Sequence, residues 1–260
     1  MIILSAIQYK PTLAKCSADV RANFRDCEPH IHDAWKMGSQ LVVFPELFLT
    51  GYSFLNPLEA SSVAEKWNGQ TFRDMRDVAM ELDSYVAYGY LEADGNHLYN
   101  SAVLIDPKGS VASKYRKVNL WGNDFLWATP GSEVPSIIET DFGTLSNIIC
   151  RDIRARIPSN IPRVANTIPF YAEEKPQFIA ACTNWGKGGF PSTSWMDFSV
   201  NNQCTLILAN RHGIEQNGAF SNDFGHGGSV IIEPNWKVHT NGLKFNENCV
   251  VSAALEESNV

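Results

Sequence analysis

Short runs of aliphatic and β-branched residues recur along this chain, most of them closed by a turn residue: IILSAIQ, QLVVFPE, YVAYGYLEA, LYNSAVLID, LSNIIC, QFIAACTNW, TLILANRHG, SVIIEP and CVVSAAL. Runs of this kind read as strands, and so many of them require sheets whose apolar faces are covered by something else. The stretches between the early runs supply the cover. In SADVRANFRDCEPHIHDAWKMGS, the residues Val20, Phe24, Cys27, Ile31 and Trp35 fall three or four apart on one helical face. Gly38 is its stop signal, and Pro29 predicts a kink or break near residue 28. NGQTFRDMRDVAMELDS repeats the pattern through Phe72, Met75, Val78, Ala79 and Leu82, with Thr71 as the expected N-cap. A strand, helix, strand, helix opening followed by a strand-rich middle and end specifies a layered α/β architecture. No stretch reads as a linker, so residues 1–260 are expected to form one domain. IDPKGSV and IEPNWKV each combine a strand end, an acid, a proline and a bend, two hairpin turns of one design and a faint internal repeat.

Charge narrows the partners. The formal net charge is −7 with 19% charged residues, which argues against a nucleic-acid surface and against electrostatic attachment to a membrane. A small molecule or another protein is the expected partner. Cys16, Cys27, Cys150, Cys182, Cys204 and Cys249 stand far apart, with no C-x-x-C pair, so neither a zinc site nor a redox motif is indicated. The opening MIILSAIQYK lacks a basic leader, and no apolar run approaches the roughly 18 to 20 residues needed to cross a bilayer. A soluble, cytoplasmic protein in a reducing compartment is the expectation.

Three strand ends carry chemistry. In LSNIICRDIRARIP an apolar run stops at Cys150, and Arg151, Asp152 and Arg154 follow; the thiol is either a small core residue or a nucleophile presented beside positive charge. Glu46 sits where the strand of LVVFPELFLTGY breaks at Pro45, so its carboxylate would be partly desolvated, as a general base requires. Lys117 lies in SKYRKVNLW beside the apolar Val118 and Leu120, where an ammonium could stabilise a developing oxyanion. Singly, each has an ordinary alternative as loop, surface or packing residue. Together they supply what covalent hydrolysis of a C–N bond needs: nucleophile, base and oxyanion charge.

The order of the words AIQ, GSQLVVFPELFLTGY, YNSAVLID, YRKVNLW, TPG, IICRD, NW, NNQCTLILANRHG and GGSVIIEP closely resembles that of the nitrilase superfamily, the carbon–nitrogen hydrolases, over residues 2 to 255. The resemblance implies a four-layer α-β-β-α sandwich and a Glu–Lys–Cys triad at Glu46, Lys117 and Cys150. It implies acyl transfer through a cysteine thioester with no metal or organic cofactor, the oxyanion being held by Lys117 and the backbone N–H of Arg151. A small linear amide or N-carbamoyl compound is the expected substrate, a nitrile the alternative, and a homodimer or higher homo-oligomer the expected assembly. A scaffold or ligand-binding protein that has lost activity is the non-enzymatic alternative.

Departures from the family pattern mark a divergent branch. Members usually carry a second glutamate after the lysine; here Asp124, seven residues on, is the only carboxylate in KVNLWGNDFLWATPG, and its side chain is shorter by one carbon. It is either the substitute or a loop residue. The family's C-x-D-x-x-F-P-E becomes CRDIRARIPSNIP, and Asn201 stands where a glutamate often precedes NQC. Asn184 and Trp185 match a family position at the pocket wall and Trp121 is expected to form another, with Arg151 either touching substrate or pairing with Asp152. His212, His226 and the Glu173–Glu174–Lys175 run, read as a solvated loop, are not assigned to the site.

Overall fold

The structure, a computed structural model, describes residues 1–154, 167–186 and 188–256. In chain order the elements are β1 (Ile2–Gln8), α1 (Ser17–Lys36), β2 (Leu41–Val43), α2 (Pro57–Ser61), α3 (Gln70–Leu82), β3 (Tyr85–Asp94), β4 (His97–Ile105) and β5 (Val111–Arg116). They continue with α4 (Asp124–Trp127), β6 (Ile138–Thr140), β7 (Gly143–Ile149), a 3-10 turn (Cys150–Ile153), α5 (Thr167–Glu174), β8 (Phe178–Cys182) and α6 (Thr193–Asn202). The last are β9 (Thr205–Ala209), β10 (Ile214–Asn217), β11 (Phe220–Asp223), β12 (Val230–Ile232), β13 (Val238–His239) and β14 (Cys249–Leu255).

Two six-stranded sheets form the centre, ordered β14-β1-β2-β3-β4-β5 and β6-β7-β8-β9-β12-β13. Both run through the same succession of pairings: antiparallel, parallel, parallel, antiparallel, antiparallel. The faint repeat in the sequence is thus a repeat of topology. IDPKGSV joins β4 to β5 and IEPNWKV joins β12 to β13, each closed by the acid's N–H donating to the carbonyl four residues on, at 2.9 Å in both. Gly109 takes the left-handed conformation at φ 82° in the first turn, and Trp236 takes it at φ 69° in the second.

Small side chains let the sheets approach: Ala6, Ala87, Ala102, Ala180, Ala209 and Ala253 are buried with Leu4, Val43, Leu145 and Ile149 in the layer between them. The outer face of the first sheet is closed by α1 and α3 through Val20, Cys27, Ile31, Met75 and Val78. That of the second is closed by α5 and α6 through Tyr171, Trp195 and Phe198. The result is the four-layer α-β-β-α sandwich.

Four local expectations are corrected. α1 runs unbroken through Pro29, because the ring lies on the exposed side, where a carbonyl that loses its helical partner can be hydrated. Trp35 is half exposed and stacks on His32, and the buried face is carried instead by Asn23, Cys27, Ile31 and Ala34. Gly69, not Thr71, is the N-cap of α3; the Glu65 carboxylate accepts from the Thr71 N–H at 2.8 Å and its hydroxyl at 3.2 Å. Glu173 and Glu174 end α5 rather than forming a loop. The altered run beyond residue 154, Lys187 and the chain end beyond residue 256 lie outside the described residues. Among the described residues no helix is long and apolar enough to cross a membrane, and all six cysteines are free thiols.

Candidate active site

Glu46 and Lys117 sit just past the ends of β2 and β5 in one sheet and Cys150 just past the end of β7 in the other, and packing the sheets face to face sets the thiol beside the first two. The Lys117 ammonium lies 2.6 Å from Glu46 Oε1 and 2.6 Å from Asp124 Oδ2. All four groups are buried. Asp124 is therefore not a loop carboxylate. It opens α4, and its Oδ2 also accepts from the Trp121 N–H at 3.0 Å, so the short helix carries the shorter side chain to the lysine.

Asn100, on β4, ties the two carboxylates together by donating from Nδ2 to Glu46 Oε1 at 2.7 Å and to Asp124 Oδ1 at 3.1 Å. Its carbonyl also accepts the Lys117 N–H at 2.8 Å. Reading the sequence assigned no role to this residue, although it stands in the YNS word; nothing local marks an asparagine in a strand as a bridge. The second Glu46 oxygen accepts from the Asn184 N–H at 2.9 Å.

Cys150 occupies the left-handed region at φ 39°, which a non-glycine residue adopts at a cost of about 1–3 kcal/mol. Leu47, next to Glu46, does the same at φ 49°. The thiol lies beside the Glu46 carboxylate and the Asn184 N–H. Burial, then the Glu46 charge, push it well above the usual thiol value, with Lys117 opposing. It rests as a neutral thiol. Burial also raises Asp124 above the ordinary carboxylate value, Lys117 again opposing. Lys117 itself is held well above the ordinary lysine value: burial opposes its charge, and the carboxylates Asp124 and Glu46 outweigh that.

Asp152 turns inward, away from Arg151. It accepts from Tyr115 Oη at 2.8 Å and the Asn119 N–H at 2.8 Å, pinning the loop after Lys117 to the turn after Cys150. Burial raises it to about 6. Above the site is a cleft of 280 Å³ lined by Trp121, Cys150, Arg151, Arg154, Asn184 and Trp185. The expected wall residues thus meet around the thiol. His212 and His226 do not join them: they bond Asn248 and Asn246, and His226 lines a separate groove.

One glycine limits where Glu46 can stand. A Cβ on Gly89 would meet Glu46 Cα at 2.6 Å, Leu47 N at 2.9 Å and Pro45 O at 3.0 Å, all backbone atoms that cannot swing aside. Gly89→Ala is expected to displace the Glu46 turn by about 1 Å and lower kcat by about 100-fold. Steady-state kinetics on a variant that retains cooperative unfolding checks this; wild-type kcat would show that the turn tolerates the shift.

The chain belongs to the carbon–nitrogen hydrolase family, whose model matches residues 3–259. It is similar to a nitrilase of Pyrococcus abyssi, 35% identical over 153 residues, 58% of this chain and 56% of that protein. The match therefore spans little more than half of that relative. A probable nitrilase of Schizosaccharomyces pombe is 29% identical over 246 residues, 90% of this chain and 82% of that protein. Among solved structures, an amidase of Nesterenkonia sp. AN1 superposes with a TM-score of 0.80 over 100% of this chain and 94% of that one, at 21% identity, a likeness of fold. In one form of that amidase the acetamide moiety of fluoroacetamide is covalently added at the active-site cysteine.

Proposed function

We propose that this carbon–nitrogen hydrolase is a cofactor-independent amidohydrolase in which Cys150 is the nucleophile, Glu46 the general base and acid, and Lys117 the oxyanion cation. The reading rests on one observation: an ammonium clamped between two buried carboxylates, beside a thiol at the floor of a cleft. As Cys150 Sγ bonds to the substrate carbonyl carbon, its proton passes to Glu46, and the oxyanion is met by Lys117 and the Arg151 N–H. Collapse breaks the C–N bond while Glu46 returns the proton to nitrogen, releasing ammonia and leaving a thioester. Water then attacks, Glu46 takes its proton, and the acid departs with the thiol restored. Asp124, with Asn100, keeps the lysine charged and the glutamate aimed.

Two features favour a small amide. The cleft lies just below the roughly 300–1,000 Å³ usual for ligand pockets. The Asn184 side chain on its wall is buried with neither Oδ1 nor Nδ2 partnered among the described residues, a donor and an acceptor matched to a substrate carboxamide. Similarity to the Pyrococcus and Schizosaccharomyces proteins favours the nitrile as a second reading, with the same three residues acting at a C≡N carbon.

Ammonia release from aliphatic amides, ω-amides, N-carbamoyl amines and nitriles, with Cys150→Ala as control, tests this. Turnover that vanishes in the control is the expected result, and the preferred member ranks the substrates. Turnover that survives in Cys150→Ala excludes the cysteine mechanism. Silence across the panel, with a Cys150 thiol indifferent to alkylation, favours a binding protein of the same fold.

A further inference from the structure

The cleft has one wall whose side chain is only loosely packed. The Trp121 ring is 53% exposed, with Arg151 Cζ 4.2 Å from its centre. Where such a ring points follows from how its backbone is held. The Trp121 N–H donates to Asp124 Oδ2 at 3.0 Å, and the Trp121 carbonyl accepts the Asp124 N–H at 3.0 Å. Trp121 and Asp124 thus close one tight turn, with the wall residue at its start and the counter-ion of Lys117 at its end.

Tyr52, six residues after Glu46, reaches this turn from a distant part of the chain. Its hydroxyl donates to the same Trp121 carbonyl. Gly122 takes the left-handed conformation at φ 54°, and a Cβ there would lie 3.1 Å from Tyr52 Oη, so a glycine leaves room for the hydroxyl at the peptide. Tyr52 is itself firmly anchored. It is 5% exposed, and its ring stands edge-on to Phe224 with centres 5.8 Å apart. Its N–H donates to Glu215 Oε2 at 2.9 Å, and Glu215 is paired with the buried Arg211 at 2.6 Å. Burial, then the Asp124 charge, push the phenol well above the ordinary tyrosine value, so it keeps the proton it donates.

We propose, resting on the amidase reading above, that Tyr52 is the positioning residue for the Trp121 wall, its hydroxyl setting how closely the cleft fits the acyl group of the substrate. Asp124 has holds of its own on Lys117 and Asn100, and it stays in place when the phenol oxygen is removed. The half-exposed Trp121 depends more heavily on its backbone, so the loss acts on substrate fit rather than on bond breaking. The Tyr52 ring lies 6.0 Å from Lys117 Nζ, a contact that Tyr52→Phe preserves, so the substitution isolates the hydroxyl. The Trp121 carbonyl keeps the Asp124 N–H, so no buried acceptor is orphaned and the variant is expected to fold.

The test compares ammonia release from propionamide, butyramide and valeramide by wild type and Tyr52→Phe. KM for the best of the three is expected to rise about 5- to 10-fold, the worth of one hydrogen bond, while kcat changes far less. The preference among chain lengths should flatten. In a Trp121→Ala background Tyr52→Phe should raise KM no further, because the wall it holds is gone. Unchanged kinetics, an equal fall in kcat on all three amides, or the same rise in KM without Trp121 overturns the proposal. Iodide quenching of tryptophan fluorescence reads the wall without turnover. Tyr52→Phe should increase quenching, and the increase should vanish when Trp121→Phe is added. Absence of that difference overturns the proposal whatever the turnover. Should no amide release ammonia while the quenching difference is present, the amidase reading fails and the hold of Tyr52 on Trp121 is supported.

Discussion

Glu46→Gln is expected to lower kcat/KM for the preferred amide by about 10²- to 10⁴-fold, the range supplied by a positioned general base. The same substitution should slow alkylation of Cys150 by iodoacetamide near neutral pH, and the direction of that change is the discriminating observation. Burial and the Glu46 charge together hold the thiol well above its usual value. If electrostatics alone governed reactivity, removing the negative charge would raise the thiolate fraction and speed alkylation. If Glu46 takes the proton as sulfur attacks, removing it slows the reaction despite the more favourable charge. Rate constants for the two proteins at pH 7 separate the cases, and faster alkylation of the variant would remove Glu46 from the role of base.

Lys117→Met carries the second large effect, on stability as well as rate. The lysine side chain is 1% exposed and is the cation between two carboxylates, Glu46 and Asp124. Breaking a buried ion pair from one side costs about 3–5 kcal/mol, because the remaining charge is left buried without its counter-ion. Against a total of about 5–15 kcal/mol, that is a large share of the folding free energy. The sign with pH follows from Asp124, whose folded-state value is already raised by burial while Lys117 opposes. Without the lysine it rises further. A carboxyl that holds its proton more tightly when folded loses stability as pH climbs from about 4 through the raised value. The deficit relative to wild type should therefore widen from acid to neutral pH in urea unfolding. Lys117→Met/Asp124→Asn should recover part of the stability and none of the activity. A deficit independent of pH would mean that removing the lysine leaves the proton affinity of the buried carboxylates unchanged.

Much of the framework was legible in the residues because its signals are local. Each of the nine apolar runs contains a strand, and both amphipathic stretches are helices, since a period of two or of three to four needs only near neighbours to show itself. Outside those runs, β5 and β13 follow the two hairpin turns, whereas the short strands β6, β10 and β11 were not anticipated, having too few residues to carry a period. Family words singled out Glu46, Lys117 and Cys150, but words do not supply distances. Glu46 meets Lys117 across 71 residues of chain, a contact made by the order of strands within one sheet, and the Asn184 N–H across 138, a contact that exists only once the two sheets lie face to face.

By itself, then, the order of residues determined which segments are strands and helices, that they layer, and which three side chains to watch. Tertiary structure alone decided that Asp124 reaches the lysine, that Asn100 bridges two carboxylates and that Gly89 must lack a side chain. It also decided that Asp152 turns inward to Tyr115 and Asn119 while the Arg151 guanidinium lies over the Trp121 ring. The reason is physical: propensity and pattern act between neighbours along the chain, whereas desolvation, charge pairing and close backbone approach depend on what packing brings from far away.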